Sequence, residues 1–171
     1  MNIAVFCSAN ENIDPDFFTM AEKLGRKIAL KGHTLVYGGV NAGLMERIGK
    51  AVHENGGKTI GVIPQILEKN GKISEYVDVH IPCDNLSDRK DMMLLHSDMA
   101  IALPGGIGTL DEVFTMAASS TIGYHHKLVI MYNMKGFWDS LKFMLDDLQQ
   151  KGVIRGNYSE MIRFSDAMPD L

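Results

Sequence analysis

The chain has 171 residues, 46% of them hydrophobic and 22% charged, with a formal net charge of −4. That length and composition fit one globular domain over residues 1–171 with a substantial core. The acidic balance argues against a general nucleic-acid or membrane-surface binder, which would carry a basic patch, so any anion site must be local.

Asn2–Cys7 is a short apolar run. It reads as a first strand rather than a leader, because no Lys or Arg precedes it and Asn10 and Glu11 follow closely. No apolar stretch approaches the ~18–20 residues of a membrane span, so a cytoplasmic protein is expected. Pro15–Leu30 has helical spacing, with Asp14 as N-cap, Pro15 at the first helical position and Gly32 placed to end it. His33–Tyr37 is a second strand, followed by Gly38 and Gly39. Gly43–Glu54 is helical and stops at Asn55-Gly56-Gly57. Thr59–Ile63 is a third strand, ended by Pro64. Gln65–Glu75 is polar and irregular, and Val77–Ile81 is another strand. Ser87–His96 is a helix capped by Ser87. A strand over 99–103 leads through glycines into a helix reaching about Ser120. Leu128–Tyr132 is a strand and Phe137–Gln149 a helix; the residues after Gln149 give no clear pattern.

Strands alternating with helices of this length imply βαβ units. The expected fold class is α/β, Rossmann-like and doubly wound, a mostly parallel sheet with helices on both faces. Such sheets bind ligands beyond the carboxyl ends of their strands, where the strand order reverses. Three loops stand at such ends: Ser8, Gly38-Gly39 and Gly105–Gly108. Together they suggest a nucleotide or another phosphorylated ligand. The dinucleotide fingerprint G-x-G-x-x-G is absent after the first strand, where Cys7-Ser8-Ala9-Asn10 stands, so no NAD or FAD cofactor is expected.

Leu103-Pro104-Gly105-Gly106-Ile107-Gly108-Thr109-Leu110-Asp111-Glu112 is the most informative stretch. Glycines between a strand and a helix let the backbone approach a ligand closely. The helix start then offers free N–H groups and a partial positive charge to an anion. Thr109 to Glu112 also reads as a capping box, with Thr109 the cap and Glu112 its N3 partner. Spacing leaves the structural and the functional reading of Glu112 both open. A second cluster, Arg89-Lys90, falls in the first turn of a helix capped by Ser87. Cations there oppose the macrodipole, which marks either a functional site or a solvated face paired with Asp88 or Asp91. Cys7 and Cys83 read as buried free thiols. Met92, Met93 and Met116 read as core filling, with one of them a candidate wall for a base. The six histidines show no metal spacing, so no metal is expected.

Arg89-Lys90 followed by Pro104-Gly105-Gly106-Ile107-Gly108-Thr109-Leu110-Asp111-Glu112 strongly resembles the LONELY GUY (LOG) family, which pairs R-K with P-G-G-x-G-T-x-x-E. Val36-Tyr37-Gly38-Gly39-Val40-Asn41-Ala42-Gly43-Leu44-Met45 resembles its V-Y-G-G-G-x-x-G-L-M-G loop, and Gly61-Val62-Ile63-Pro64 its G-V-I-P segment. Val40 and Glu46 replace glycines of that pattern, Cys7-Ser8-Ala9-Asn10 stands for C-G-S-S, and Gly71 falls near a substrate-binding Glu of relatives. The resemblance implies a nucleoside 5′-monophosphate phosphoribohydrolase that releases base and ribose 5-phosphate, with AMP or N6-modified AMP as substrate and no cofactor. It implies Arg89 and Glu112 as the catalytic pair. Lys90, Gly105, Gly106, Gly108, Thr109, Ser8, Gly38 and Gly39 would hold phosphate and ribose, in a homodimer or larger homo-oligomer. The competing expectation is a nucleotide or molybdenum-cofactor carrier on the same fold. Chemistry favours the enzyme: a carboxylate beside the ribose stabilises an oxocarbenium-like centre or orients water, while a carrier has little use for an acid beside phosphate.

Overall fold

The structure, a computed structural model, describes residues 1–171. Seven strands form one all-parallel sheet: β1 (Asn2–Phe6), β2 (Thr34–Tyr37), β3 (Lys58–Pro64), β4 (Val79–Cys83), β5 (Met99–Ala102), β6 (Val129–Tyr132) and β7 (Ile162–Ser165), in the order β4-β3-β2-β1-β5-β6-β7. Six α-helices connect them: α1 (Pro15–Leu30), α2 (Gly43–Glu54), α3 (Gln65–Lys69), α4 (Leu86–Leu95), α5 (Ile107–Thr121) and α6 (Asp139–Gln150). This is the doubly wound α/β fold expected from the sequence.

Alternation along the strands builds the two layers. Ile3 and Val5 of β1 face α1 and α2, packing with Leu24, Ile28, Leu44 and Ile48. Ala4 and Phe6 face the other way, with Met93 of α4, Val113 and Met116 of α5, and Leu141 of α6. Full burial of each large aliphatic side chain contributes ~1.5–3 kcal/mol. α1 and α2 approach closely because Gly25 has no Cβ; one there would lie 2.9 Å from the Ala51 Cβ. The chain grows outward from β1 through β2, β3 and β4, then restarts at β5 on the other side of β1. The switch point is therefore between the carboxyl ends of β1 and β5, pairing Phe6 with Ala102. No helix is long and apolar enough to cross a membrane.

α1 begins and ends where the sequence places it, with Asp14 Oδ1 accepting from the Asp16 N–H. Four expectations shift. α3 occupies part of the supposedly irregular 65–75 segment; it buries no residue, so it leaves no apolar period to read. β7 adds a seventh strand in the unassigned C-terminal segment, pairing Ile162 with Val129. α4 starts earlier than expected: its cap is Asn85, whose Oδ1 accepts from the Ser87 and Asp88 N–H groups, so Ser87 is not the cap. α5 is capped at Gly106 with no side-chain bond, so Thr109 is not its cap and the Thr109–Glu112 capping box does not form.

Candidate active site

Three loops meet at the switch point through backbone hydrogen bonds. Ser8 N–H donates to the Pro104 carbonyl (3.1 Å), and the Ser8 carbonyl accepts from Leu44 N–H (2.9 Å). Glu11 Oε1 accepts from Gly43 N–H at 2.6 Å. Gly43 sits at φ +57° with its Cα against the Ala9 backbone, a position that excludes a side chain. The β1–α1, β2–α2 and β5–α5 loops are thus one hydrogen-bonded unit.

They enclose a cleft of about 290 Å³ lined by Cys7, Ser8 and Ala9, by Met45 of α2, by Arg89 of α4, and by Gly106, Gly108, Thr109 and Glu112 around the start of α5. A larger groove of about 440 Å³ lies between α1 and α2; both of its acids are paired, Glu22 with Arg47 and Glu54 with Lys50, and Lys23 and Arg26 also line it.

The first N–H groups of α5 have no side-chain partner and open on the cleft. A Cβ at Gly106 or Gly108 would meet nothing within 4 Å. Protein packing does not demand glycine at either position; the space a Cβ would take belongs to the cleft. Gly105 differs: its missing Cβ is where the buried Thr109 side chain packs.

Arg89 is 7% exposed. Its Nε–H donates to the Val62 carbonyl of β3 at 3.1 Å, which orients the guanidinium. Its Nη2 is buried with no partner. Unpaired buried donors are costly, so this one marks a place for an acceptor. Gly38 makes room for it: a Cβ there would collide with the guanidinium and lie 2.9 Å from the Met45 sulfur. Arg89 is the fourth residue of α4 and closes its first turn, its N–H donating to the Asn85 carbonyl at 3.0 Å, while Lys90 begins the next; burial is what singles out Arg89.

Glu112 lies deep in the cleft, six residues past the α5 cap. Desolvation pushes its carboxyl up to about 7, against the Arg89 charge, which pulls it down; Asp111 adds to the rise and Lys90 opposes it. The two cleft charges form no direct ion pair, so Arg89 does not orient Glu112 by contact. Cys7 is buried beside both, and burial pushes its thiol well above the ordinary range, so it is no ready nucleophile.

The expected site residues divide. Arg89, Glu112, Ser8, Gly106, Gly108 and Thr109 line one cleft. Gly38 acts behind Arg89, and Gly39, at φ +63°, packs against Ile63. Gly105 faces a neighbouring hollow with Ile13, Phe17 and Phe137. Lys90 is not among the residues lining the cleft: its ammonium holds both Asp111 oxygens at 2.8 Å. The methionine at the wall is Met45. Met93 and Met116 are core residues and Met92 packs against the same core. The Leu44-Met45 pair in the second loop was the available signal.

A family model described as "Possible lysine decarboxylase" matches residues 45–171. The chain is 36% identical over 160 residues to the cytokinin riboside 5′-monophosphate phosphoribohydrolase LOG4 of Arabidopsis thaliana, covering 94% of this chain and 74% of that protein. It is 33% identical over 168 residues to the cytokinin riboside 5′-monophosphate phosphoribohydrolase of Mycobacterium tuberculosis, covering 98% and 89%. Its fold is similar to that of the molybdenum cofactor carrier protein of Chlamydomonas reinhardtii, with a TM-score of 0.73 and 25% identity over 98% of this chain and 90% of that one. With the motifs of that family meeting around one cleft, the chain belongs to the LONELY GUY (LOG) family.

Proposed function

We propose that this protein hydrolyses the N-glycosidic bond of AMP or N6-modified AMP, giving free base and ribose 5-phosphate. One juxtaposition carries the reading. A desolvated carboxyl and a buried guanidinium with a free N–H edge share a cleft with an open helix N-terminus.

The 5′-phosphate sits on the α5 N–H groups and extends the ribose toward Glu112. As the bond from C1′ to the base breaks, its electron pair leaves with the base and positive charge grows on the ribose ring. The Glu112 carboxylate faces that charge and takes the proton of the water that attacks C1′. Arg89, oriented by Val62, donates its free N–H groups to the substrate; the departing base takes a proton from solvent water, and Glu112 returns the proton it accepted to solvent. Phosphate binding, remote from the broken bond, supplies the orientation.

The working unit we propose is a homodimer or larger homo-oligomer. Ile107, 87% exposed beside the cleft, and Leu86, Leu95 and Ile122 on α4 and the end of α5 support this. A sedimentation-velocity mass of one chain would count against it. A second reading, carriage without turnover, draws on the likeness to the molybdenum cofactor carrier protein. The raised Glu112 carboxyl favours hydrolysis.

Incubated with AMP, the protein releases adenine and ribose 5-phosphate; adenosine, with nothing for the α5 N-terminus to hold, is cleaved at least 100-fold less efficiently, on the order of one lost charged anchor. Comparable kcat/KM for the two overturns the reading, and tight AMP binding with no adenine released favours the carrier. Gly108→Ala folds with unchanged or higher stability, since the added Cβ meets no protein atom, yet raises KM for AMP. Steady-state rates and a thermal melt on the same preparation check it.

A further inference from the structure

α4 and α5 each present two consecutive charged residues, Arg89-Lys90 and Asp111-Glu112. One member of each pair, Arg89 and Glu112, faces the cleft. The other two meet outside it. Lys90 Nζ lies 2.8 Å from each Asp111 oxygen, with the Lys90 side chain 18% exposed and that of Asp111 48% exposed. The two helices share only a short contact, and this ion pair spans it. An isolated exposed pair stabilises a fold by ~0–1 kcal/mol, too little to account for its position directly beside both cleft charges.

We infer that Lys90 and Asp111 form a positioning pair that sets the separation of Arg89 and Glu112 and the charge around Glu112. Neither residue touches the substrate; each acts through its chain neighbour. The carboxyl of Glu112 is faced by Arg89 and Lys90 from α4, by Asp111 on its own helix and by the neutral Cys7 thiol of β1. Lys90 favours its charged form and Asp111 opposes it. Breaking the pair from one end therefore moves the Glu112 titration one way, and from the other end the opposite way, while either break loosens the same helix pairing.

The kinetic part of this rests on the proposed hydrolase reading; the titration part does not. Lys90→Met, Asp111→Ala and the double variant are made in the full chain. Misplacing reacting groups by 1 Å costs up to ~10²-fold, so each single variant should lower kcat for AMP by about 10-fold with KM within about 2-fold. The double variant should be no worse than the poorer single one, because the second substitution removes nothing that remains. In ligand-free protein carrying carbon-13 glutamate, the Glu112 midpoint rises in Lys90→Met and falls in Asp111→Ala. A rise in KM confined to Lys90→Met, with Asp111→Ala silent, would make Lys90 a phosphate ligand and overturn the inference. Equal losses of melting temperature with kcat unchanged would reduce the pair to a surface ion pair and overturn it too. A Glu112 midpoint that stays put, or moves the same way in both variants, has the same consequence. Should the wild-type protein cleave no monophosphate, the hydrolase reading falls and the titration still decides whether the pair governs Glu112.

Discussion

Glu112→Gln lowers kcat by about 100-fold or more while raising the melting temperature above pH 7. Both effects follow from one carboxyl. With no capping box, Glu112 has no cap to lose, and its cost to the fold is the desolvation of its charge. Its ordinary value is 4.5, and in the folded protein it is pushed up to about 7. Between these values the folded state holds a proton that the unfolded chain has lost. Stability therefore falls as pH climbs through that window, and the loss is complete above pH 7. Glutamine keeps the shape and carries no charge. It recovers on the order of 1–3 kcal/mol at pH 8, the low end being favoured because the cleft admits water, and nothing below pH 4.5. Catalysis moves the other way, because the amide cannot face a developing cation or accept a proton. Wild-type kcat/KM should fall with a slope of one below about pH 7, and the residual rate of the variant should lack that limb. Melts at pH 4.5 and 8 and a pH–rate profile check all of this; normal turnover by the variant would return Glu112 to a structural role.

Helix starts and turn residues are legible in the sequence by their type, whereas hydrogen bonds and ion pairs between positions far apart in the chain are not. Asp14-Pro15 is a helix start that any sequence reader finds, and α1 begins there. Ser8, Gly38-Gly39 and Gly105–Gly108, each just after a strand, mark the three loops that meet. α5 starts at Gly106, whose cap makes no side-chain bond, while Thr109 and Glu112 mimic a capping box three residues on; composition could not choose between them. Asn85 and Ser87 are both good caps, and only the Asn85 hydrogen bonds decide. Lys90 next to Arg89 invited a shared role as anion ligands. Its partner, Asp111, is 21 positions away and meets it only because α4 and α5 cover the same face of the sheet. The short strand β7, with Arg163 exposed and Phe164 half-buried at the sheet edge, carries too little alternation to be seen.

Arg89→Met should lower kcat by ~10²–10³-fold, the usual loss when one preorganised charged donor is taken from a transition state. Folding should survive. Arg89 is a buried residue with Nη2 buried and unpaired, so methionine relieves a desolvated charge while filling much of the same volume. The remaining cost is the Val62 carbonyl, which loses the Nε–H bond. Arg89→Lys should recover little of the rate, because an ammonium that replaces the bond to Val62 has no second arm to extend into the cleft. Arg89 also lowers the Glu112 titration, so in Arg89→Met the acid limb of the pH–rate profile should move up from about 7. A variant that unfolds would make Arg89 a structural residue, and Gly38→Ala separates that outcome from a catalytic one. Its added methyl occupies the place of the guanidinium, so it displaces Arg89 without removing it. If Arg89 acts by where its free N–H edge points, Gly38→Ala should reproduce most of the kcat loss with the arginine still present. A Gly38→Ala protein that turns over AMP normally would show that the position of Arg89 in the cleft does not matter to the reaction.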